Sequence, residues 1–151
     1  MNGEGELRVA DEDVEIRLLL PAGRLLISTA DIDVDAVDAY TIADLEAFAT
    51  ALARLIDFQA RGLDPFAEVA DPEGLGVSIH LARDRHRPSV DFLGEDDRTG
   101  IQVRRVPGGP LRIEAVLDDR GVSVTAWVDA APPALHDLRD QVAAALRALR
   151  G

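Results

Sequence analysis

The sequence contains neither cysteine nor lysine. Without cysteine, disulfides, thiolate metal ligands and a cysteine nucleophile are excluded, so 151 residues must be held together by their core alone. That is one domain of ordinary size, and residues 1–151 are read as a single domain. The missing cysteine fits a reducing compartment, and the expected location is the cytoplasm. No apolar run approaches the roughly 18 residues that a membrane span requires. The opening Met1-Asn2-Gly3-Glu4-Gly5-Glu6-Leu7 is acidic and has no apolar segment, which predicts no secretory signal. Arginine supplies all sixteen strong bases, which with the abundant alanine is the mark of a GC-rich coding sequence.

The charge that is present is lopsided. The net charge is −12, and residues 1–46 hold twelve carboxylates against three arginines, a net of −9. This argues against nucleic-acid backbone and anionic lipid as partners and favours a basic protein partner. Two readings fit: a solubilising surface, or an acidic recognition face.

The firmest element is a helix over residues 41–61. Leu45, Phe48, Ala49, Leu52, Leu55 and Ile56 recur at i, i+3, i+4 and i+7. Thr41 is placed to cap its first turn, Asp44 and Glu46 sit near its positive end, and Arg61-Gly62 closes it. Before it, residues 6–9, 14–20 and 24–29 read as strands separated by Asp11-Glu12-Asp13 and Pro21-Ala22-Gly23. Residues 31–38 alternate aspartate with apolar side chains, as in an extended segment with its carboxylates on one face.

After the helix, residues 62–76 carry Pro65, Pro72, Gly74 and Gly76 and read as a loop. Five runs then follow, 77–81, 89–93, 100–106, 111–117 and 122–128, separated by turn residues at the intervals of an antiparallel meander. A loop of five, 106–110, sets Val103 against Ile113 and Ile101 against Ala115. An even loop after the next strand keeps apolar residues paired, and taken as four residues, 118–121, it sets Leu117 against Val122 and Ala115 against Val124. Pro132-Pro133 opens a second helix, 133–149, striped by Leu135, Leu138, Val142, Leu146 and Leu149. The fold class is α+β: a mostly antiparallel sheet, a β-meander in its C-terminal half, and two main helices packed on one face.

Candidate sites follow from this layout. Asp31, Asp33 and Asp35 match the first three ligand positions of an EF-hand, but Ala36 replaces the turn glycine and Ile42 the bidentate carboxylate, so no metal is expected. The better readings are an outward-facing solvated segment or, with Asp38, a contact surface for a basic partner. His80, Asp84, His86 and Asp91 have no metal-site spacing, and Arg83, Arg85 and Arg87 among them would repel a divalent ion. Residues 83–112 hold seven arginines and five carboxylates, a basic exception read as pairing with the acidic N-terminal half. Trp127, the only tryptophan, falls beside Arg112 on the hairpin face away from the apolar pairs. Such a pair suits a partner anchor, or packing under a helix or loop. No serine lies in a nucleophile elbow and no phosphate loop or dinucleotide fingerprint is present, so neither catalysis nor a cofactor is expected.

The helix start Asp44-Leu45-Glu46-Ala47-Phe48, the strand Pro88-Ser89-Val90-Asp91-Phe92, the strand Leu111-Arg112-Ile113-Glu114-Ala115 and the closing Leu135-x-x-Leu138-x-x-x-Val142 carry a resemblance. Together they resemble small acidic uncharacterised domains common in actinobacteria, some grouped with the immunity proteins of polymorphic toxin systems. The resemblance spans most of residues 13–150. It implies a non-catalytic, stoichiometric binder that neutralises a toxin, often a basic nuclease, by covering its active site. The alternative is an acidic secretion-type chaperone, with a small enzyme as the third reading.

Overall fold

The computed structural model describes residues 3–62, 89–96, 98–105, 110–119 and 121–151. The expected loop at 62–76 beyond Gly62, the strand at 77–81 and the His80–His86 group lie outside the described residues.

Helix α1, Ile42–Ala60, forms where the periodicity places it. The Thr41 hydroxyl accepts the Asp44 amide at 3.0 Å and supplies one of the partners that a first turn lacks. At the other end the Gly62 amide donates to the Gln59 carbonyl at 3.0 Å with φ +72°, a left-handed exit that glycine adopts without steric cost. Leu45, Phe48, Leu52, Leu55 and Ile56 are buried as expected, and Phe58 joins them, widening the apolar face in the last turns. Helix α2, Pro132–Arg150, begins with proline in its first turn and buries Leu135, Leu138, Val142, Ala145, Leu146 and Leu149. The two helices pack on each other, and Arg150 reaches Glu46 at 2.9 Å.

Strands β1 (Gly5–Ala10), β2 (Val14–Leu20), β3 (Arg24–Thr29) and β4 (Asp33–Val37) form one antiparallel sheet in that order. Strands β5 (Ser89–Leu93), β6 (Gly100–Arg105), β7 (Leu111–Asp119) and β8 (Val122–Asp129) form another. The antiparallel α+β class and the C-terminal meander therefore hold, but the described strands divide into two sheets of four. Hairpin pairing joins neighbours only within each half, and α1 separates β4 from β5. Each helix follows four strands and packs against the other set: α1 against β5, α2 against β1. One buried cluster takes in both helices and the inner faces of both sheets, from Leu7 and Ile16 to Ile113 and Val142.

The β6–β7 register is the expected one, Val103 against Ile113 and Ile101 against Ala115. The β7–β8 register keeps the expected parity but not the loop length. Pairing continues to Asp119 against Val122, so two residues connect the strands, with Gly121 at φ +82°. Leu117 consequently faces Val124, and Ala115 faces Ala126. A two-residue connection extends the ladder by the pairs Asp118 with Ser123 and Asp119 with Val122.

The open edge of β1 is closed by a side chain. Gln141 of α2 accepts the Arg8 amide at 2.6 Å and donates to the Arg8 carbonyl at 2.7 Å, as a neighbouring strand would.

Candidate partner interface

The register of the first sheet brings two acidic turns to one end. Ala10 lies opposite Glu15, Glu15 opposite Ser28, and Ser28 opposite Asp33, so the β1–β2 and β3–β4 connections share that end. Both turns are internally tied. Asp11 Oδ1 accepts the amides of Asp13 and Val14 at 2.8 and 2.9 Å, and the Asp11 amide donates to the Val14 carbonyl. Thr29 Oγ1 accepts the amides of Asp31 and Ile32 at 3.3 and 3.1 Å, and the Thr29 amide donates to the Ile32 carbonyl. These are side-chain turns of the kind that aspartate and threonine favour, and they fix the loops before any partner arrives.

At this tip Asp11, Glu12, Asp13, Asp31 and Asp33 are all exposed, and none makes an ion pair among the described residues. Ile32 stands among them with 46% of its surface exposed. Burying it against a partner would stabilise a complex by about 1 kcal/mol, given its present half-exposure. The tip is thus an apolar centre with an acidic rim.

The four aspartates singled out in the sequence do not act as one ladder. Asp31 and Asp33 belong to the tip. Asp35 lies further along the outward face of β4, where Arg24 holds its carboxylate at 2.8 Å. Asp38 follows the end of β4 on the opposite parity and turns toward the β5–β6 turn. The outward face of the first sheet carries two more such pairs, Arg8 with Glu15 at 2.8 Å and Arg17 with Glu6 at 2.6 Å. The hydrogen bond and charge of Glu6 raise the Arg17 guanidinium further above its ordinary value. Asp11, Glu12 and Asp13 were not assigned a binding role from sequence. The signal that could have found them is the hairpin register, which folds their turn back beside Asp31.

The second sheet brings Arg112 and Trp127 together as expected. Glu114 and Trp127 are register partners, and the Arg112 guanidinium lies 4.5 Å from the Trp127 ring centre. What the sequence did not single out is Glu114, only 1% exposed, whose Oε2 receives Arg112 Nε at 2.7 Å and lies 3.4 Å from Arg104 Nε. Of the arginines of residues 83–112 expected to pair with the acidic N-terminal half, Arg104 and Arg112 instead neutralise a carboxylate of their own sheet, while Arg83, Arg85 and Arg87 lie outside the described residues. That choice is local, since β6 and β7 place both guanidinium groups beside Glu114. Trp127 keeps 48% of its surface exposed, so the Arg112–Trp127 stack is held in place yet accessible.

A cleft of about 370 Å³ opens between the start of β1 and the β2–β3 turn, lined by Glu4, Glu6, Leu19 and Pro21 among others. Of its two carboxylates, Glu6 is held by Arg17 at 2.6 Å. Among the described residues no group of three or more His, Cys, Asp or Glu is placed to hold a metal ion. No helix among them is long and apolar enough to cross a membrane. No family model, curated protein or solved structure matches the chain.

Proposed function

We propose that this chain is a non-catalytic binding protein of the immunity type, acting in the cytoplasm, which neutralises a basic protein partner through the acidic tip of its first sheet. The observation that supports this most directly is the pair of tied turns that hold, around the exposed Ile32, five carboxylates with no ion pair among the described residues. Pre-formed loops lower the ordering cost of association, and a concentrated negative field raises the encounter rate with a cation-rich surface. Ile32 supplies the apolar contact that charge alone does not. Arg112 and Trp127 form a second, separate contact that the same partner can reach only if it wraps to the other sheet.

The test uses the protein that copurifies one-to-one with the full chain, expected to be the product of a larger neighbouring gene. Asp31→Arg with Asp33→Arg should lower the association rate constant by about tenfold at low salt and flatten its salt dependence. Asp57→Asn, at an exposed carboxylate of α1, is the control and should change little. Equal effects from both changes, or none from the first, would remove the tip as the docking surface. A dimer that captures an unfolded apolar segment regardless of Asp31 and Asp33 would support the secretion-type chaperone instead.

A further inference from the structure

The two outer edges of the first sheet are left in different states. Backbone bonds at the hairpin ends fix which residues face outward. In β3–β4 the Thr29 amide donates to the Ile32 carbonyl at 2.8 Å, and the Asp38 amide to the Gly23 carbonyl at 3.0 Å. Bonded and non-bonded pairs alternate along an antiparallel ladder, so Val34 and Ala36 turn their backbone groups toward Ile27 and Leu25. The amides and carbonyls of Asp33, Asp35 and Val37 therefore point away from β3, and no backbone group among the described residues meets them. The same count on β1–β2, starting from the Asp11 amide on the Val14 carbonyl, turns Arg8 outward, where Gln141 takes both its groups. At β4 the β5–β6 turn reaches only the far end, where the Glu95 amide donates to the Ala39 carbonyl at 2.9 Å.

We infer that the open edge of β4 receives an extended, cation-bearing segment of the basic partner as an added antiparallel strand. This rests on the binding reading above and gives it a mode of recognition. In strand addition the main-chain bonds supply affinity, and the side chains at alternate positions supply specificity.

The side chains along the edge choose the occupant. Asp33, Asp35 and Val37 share the outward face of β4 and are all exposed, Val37 to 70%. An added strand sets its own alternate side chains beside them. A base suits the place beside Asp33, which makes no ion pair among the described residues. A base also suits the place beside Asp35, because Arg24 holds only its Oδ2 and a carboxylate accepts more than one donor. An apolar side chain suits the place beside Val37. On the inner face Val34 is partly buried against the core, so a neighbour there extends the covered surface. The same residues argue against a second copy of this chain. Antiparallel pairing of β4 with β4 centred on Asp35 opposes aspartate to aspartate, between chains that each carry a net charge of −12. The edge also begins at the acidic tip, where Thr29 Oγ1 ties the turn of Asp31 and Ile32. A cationic segment drawn to the tip is thus delivered onto an edge whose first residue, Asp33, belongs to both.

The experiment is an NMR titration of the isotope-labelled full chain, at low salt, with the synthetic peptide Thr-Val-Thr-Arg-Thr-Arg-Thr. Run antiparallel, its valine meets Val37 and its two arginines meet Asp35 and Asp33. Solvent exchange of the Asp33, Asp35 and Val37 amides should slow by about tenfold at saturation, whereas Val34 and Ala36, already paired with β3, should change little. The same peptide N-methylated at both arginines keeps its charge but loses two donors, and should bind at least about tenfold more weakly. Val37→Pro removes one outward donor, alters no charge, and sits at an edge position that proline tolerates; it should weaken the unmodified peptide by about fivefold. Should that variant fail to fold, the methylated peptide makes the same cut from the other side on the wild type. Equal affinity for the two peptides, or slowed exchange confined to the turns of Asp11 and Asp31, would overturn strand addition and leave the tip as a contact of charge alone. Binding of neither peptide would overturn it as well, and the association rate of the Asp31→Arg, Asp33→Arg variant with the copurifying protein would then judge the tip separately.

Discussion

Glu114 offers a decisive test, because its charge is almost fully withdrawn from water while its two arginines are not. Glu114 is 1% exposed, Arg112 is 21% exposed and Arg104 is 26% exposed. Removing one partner of a fully buried pair costs about 3–5 kcal/mol, chiefly because the other charge is stranded. Here Arg112→Leu strands Glu114 only partly, since Arg104 remains at 3.4 Å. It also removes the stack on Trp127, worth about 0.5–1 kcal/mol, so a loss of about 2–3 kcal/mol is expected. Arg104→Leu, at the longer contact, should cost about 1 kcal/mol. Glu114→Leu should cost no more than that, since the two guanidinium groups can turn to solvent and the replacement prefers burial. The Glu114→Leu, Arg112→Leu double variant should recover most of the Arg112→Leu loss. Urea unfolding read by circular dichroism is the appropriate assay, because tryptophan fluorescence would report the lost stack itself. With a urea dependence of about 1–3 kcal/mol per molar, the Arg112→Leu midpoint should fall by about 1 M. Finding Glu114→Leu the most damaging of the three would refute the reasoning, because the energy would then reside in the pair and not in the desolvated carboxylate.

Two glycines with similar backbone angles should respond differently to alanine. Gly121→Ala, at φ +82° with open space around it, should cost about 1 kcal/mol, whereas Gly23→Ala, at φ +74° and with its new methyl driven into the Asp38 carbonyl, should cost clearly more in thermal unfolding. Gln141→Leu should remove both bonds to Arg8 at a cost of about 1–2 kcal/mol and leave the β1 edge less protected, so sedimentation should show self-association that rises with concentration. A variant that stays monomeric would mean that the body of α2 suffices to guard the edge.

What could be read in advance divides along physical lines. Helix α1 was legible because its cap, its apolar period and its glycine exit are all local, and each independently marks the same ends. The β6–β7 register was legible because a one-residue slip would turn Ile101 and Val103 to solvent. In β7–β8 the same rule fixed the parity alone, and two loop lengths of equal parity put the same residues inside. The division into two sheets left no local trace, because nothing in a strand's alternation states which edge it will join. Asp38 shows the limit of pattern most clearly. It reads as the last rung of a ladder, yet its even position sends it away from Asp33 and Asp35 and toward Gly94, a residue 56 positions later whose approach depends on the whole topology. Glu114 was hidden for a related reason: an outward parity normally means exposure, yet here Arg104, Arg112 and Trp127 gather around a carboxylate that is 1% exposed.

The placement of charge bears on whether the acidic half is more than a solubilising coat. Residues 1–46 contain three arginines, and each is committed to a carboxylate of the same sheet: Arg8 to Glu15, Arg17 to Glu6, Arg24 to Asp35. Exposed pairs of this kind add little stability, about 0–1 kcal/mol each. Their larger effect is to cancel the charge over the middle of the outward face. Five carboxylates without an ion pair among the described residues then lie together on the turns that carry Asp11, Glu12, Asp13, Asp31 and Asp33. A coat serving solubility alone gains nothing from that segregation, since mutual repulsion between neighbouring carboxylates opposes it. Concentrating the field at one rigid end, with Ile32 at its centre, orients an incoming cationic surface before contact. The same arrangement makes the association rate, more than the dissociation rate, the quantity that salt should alter.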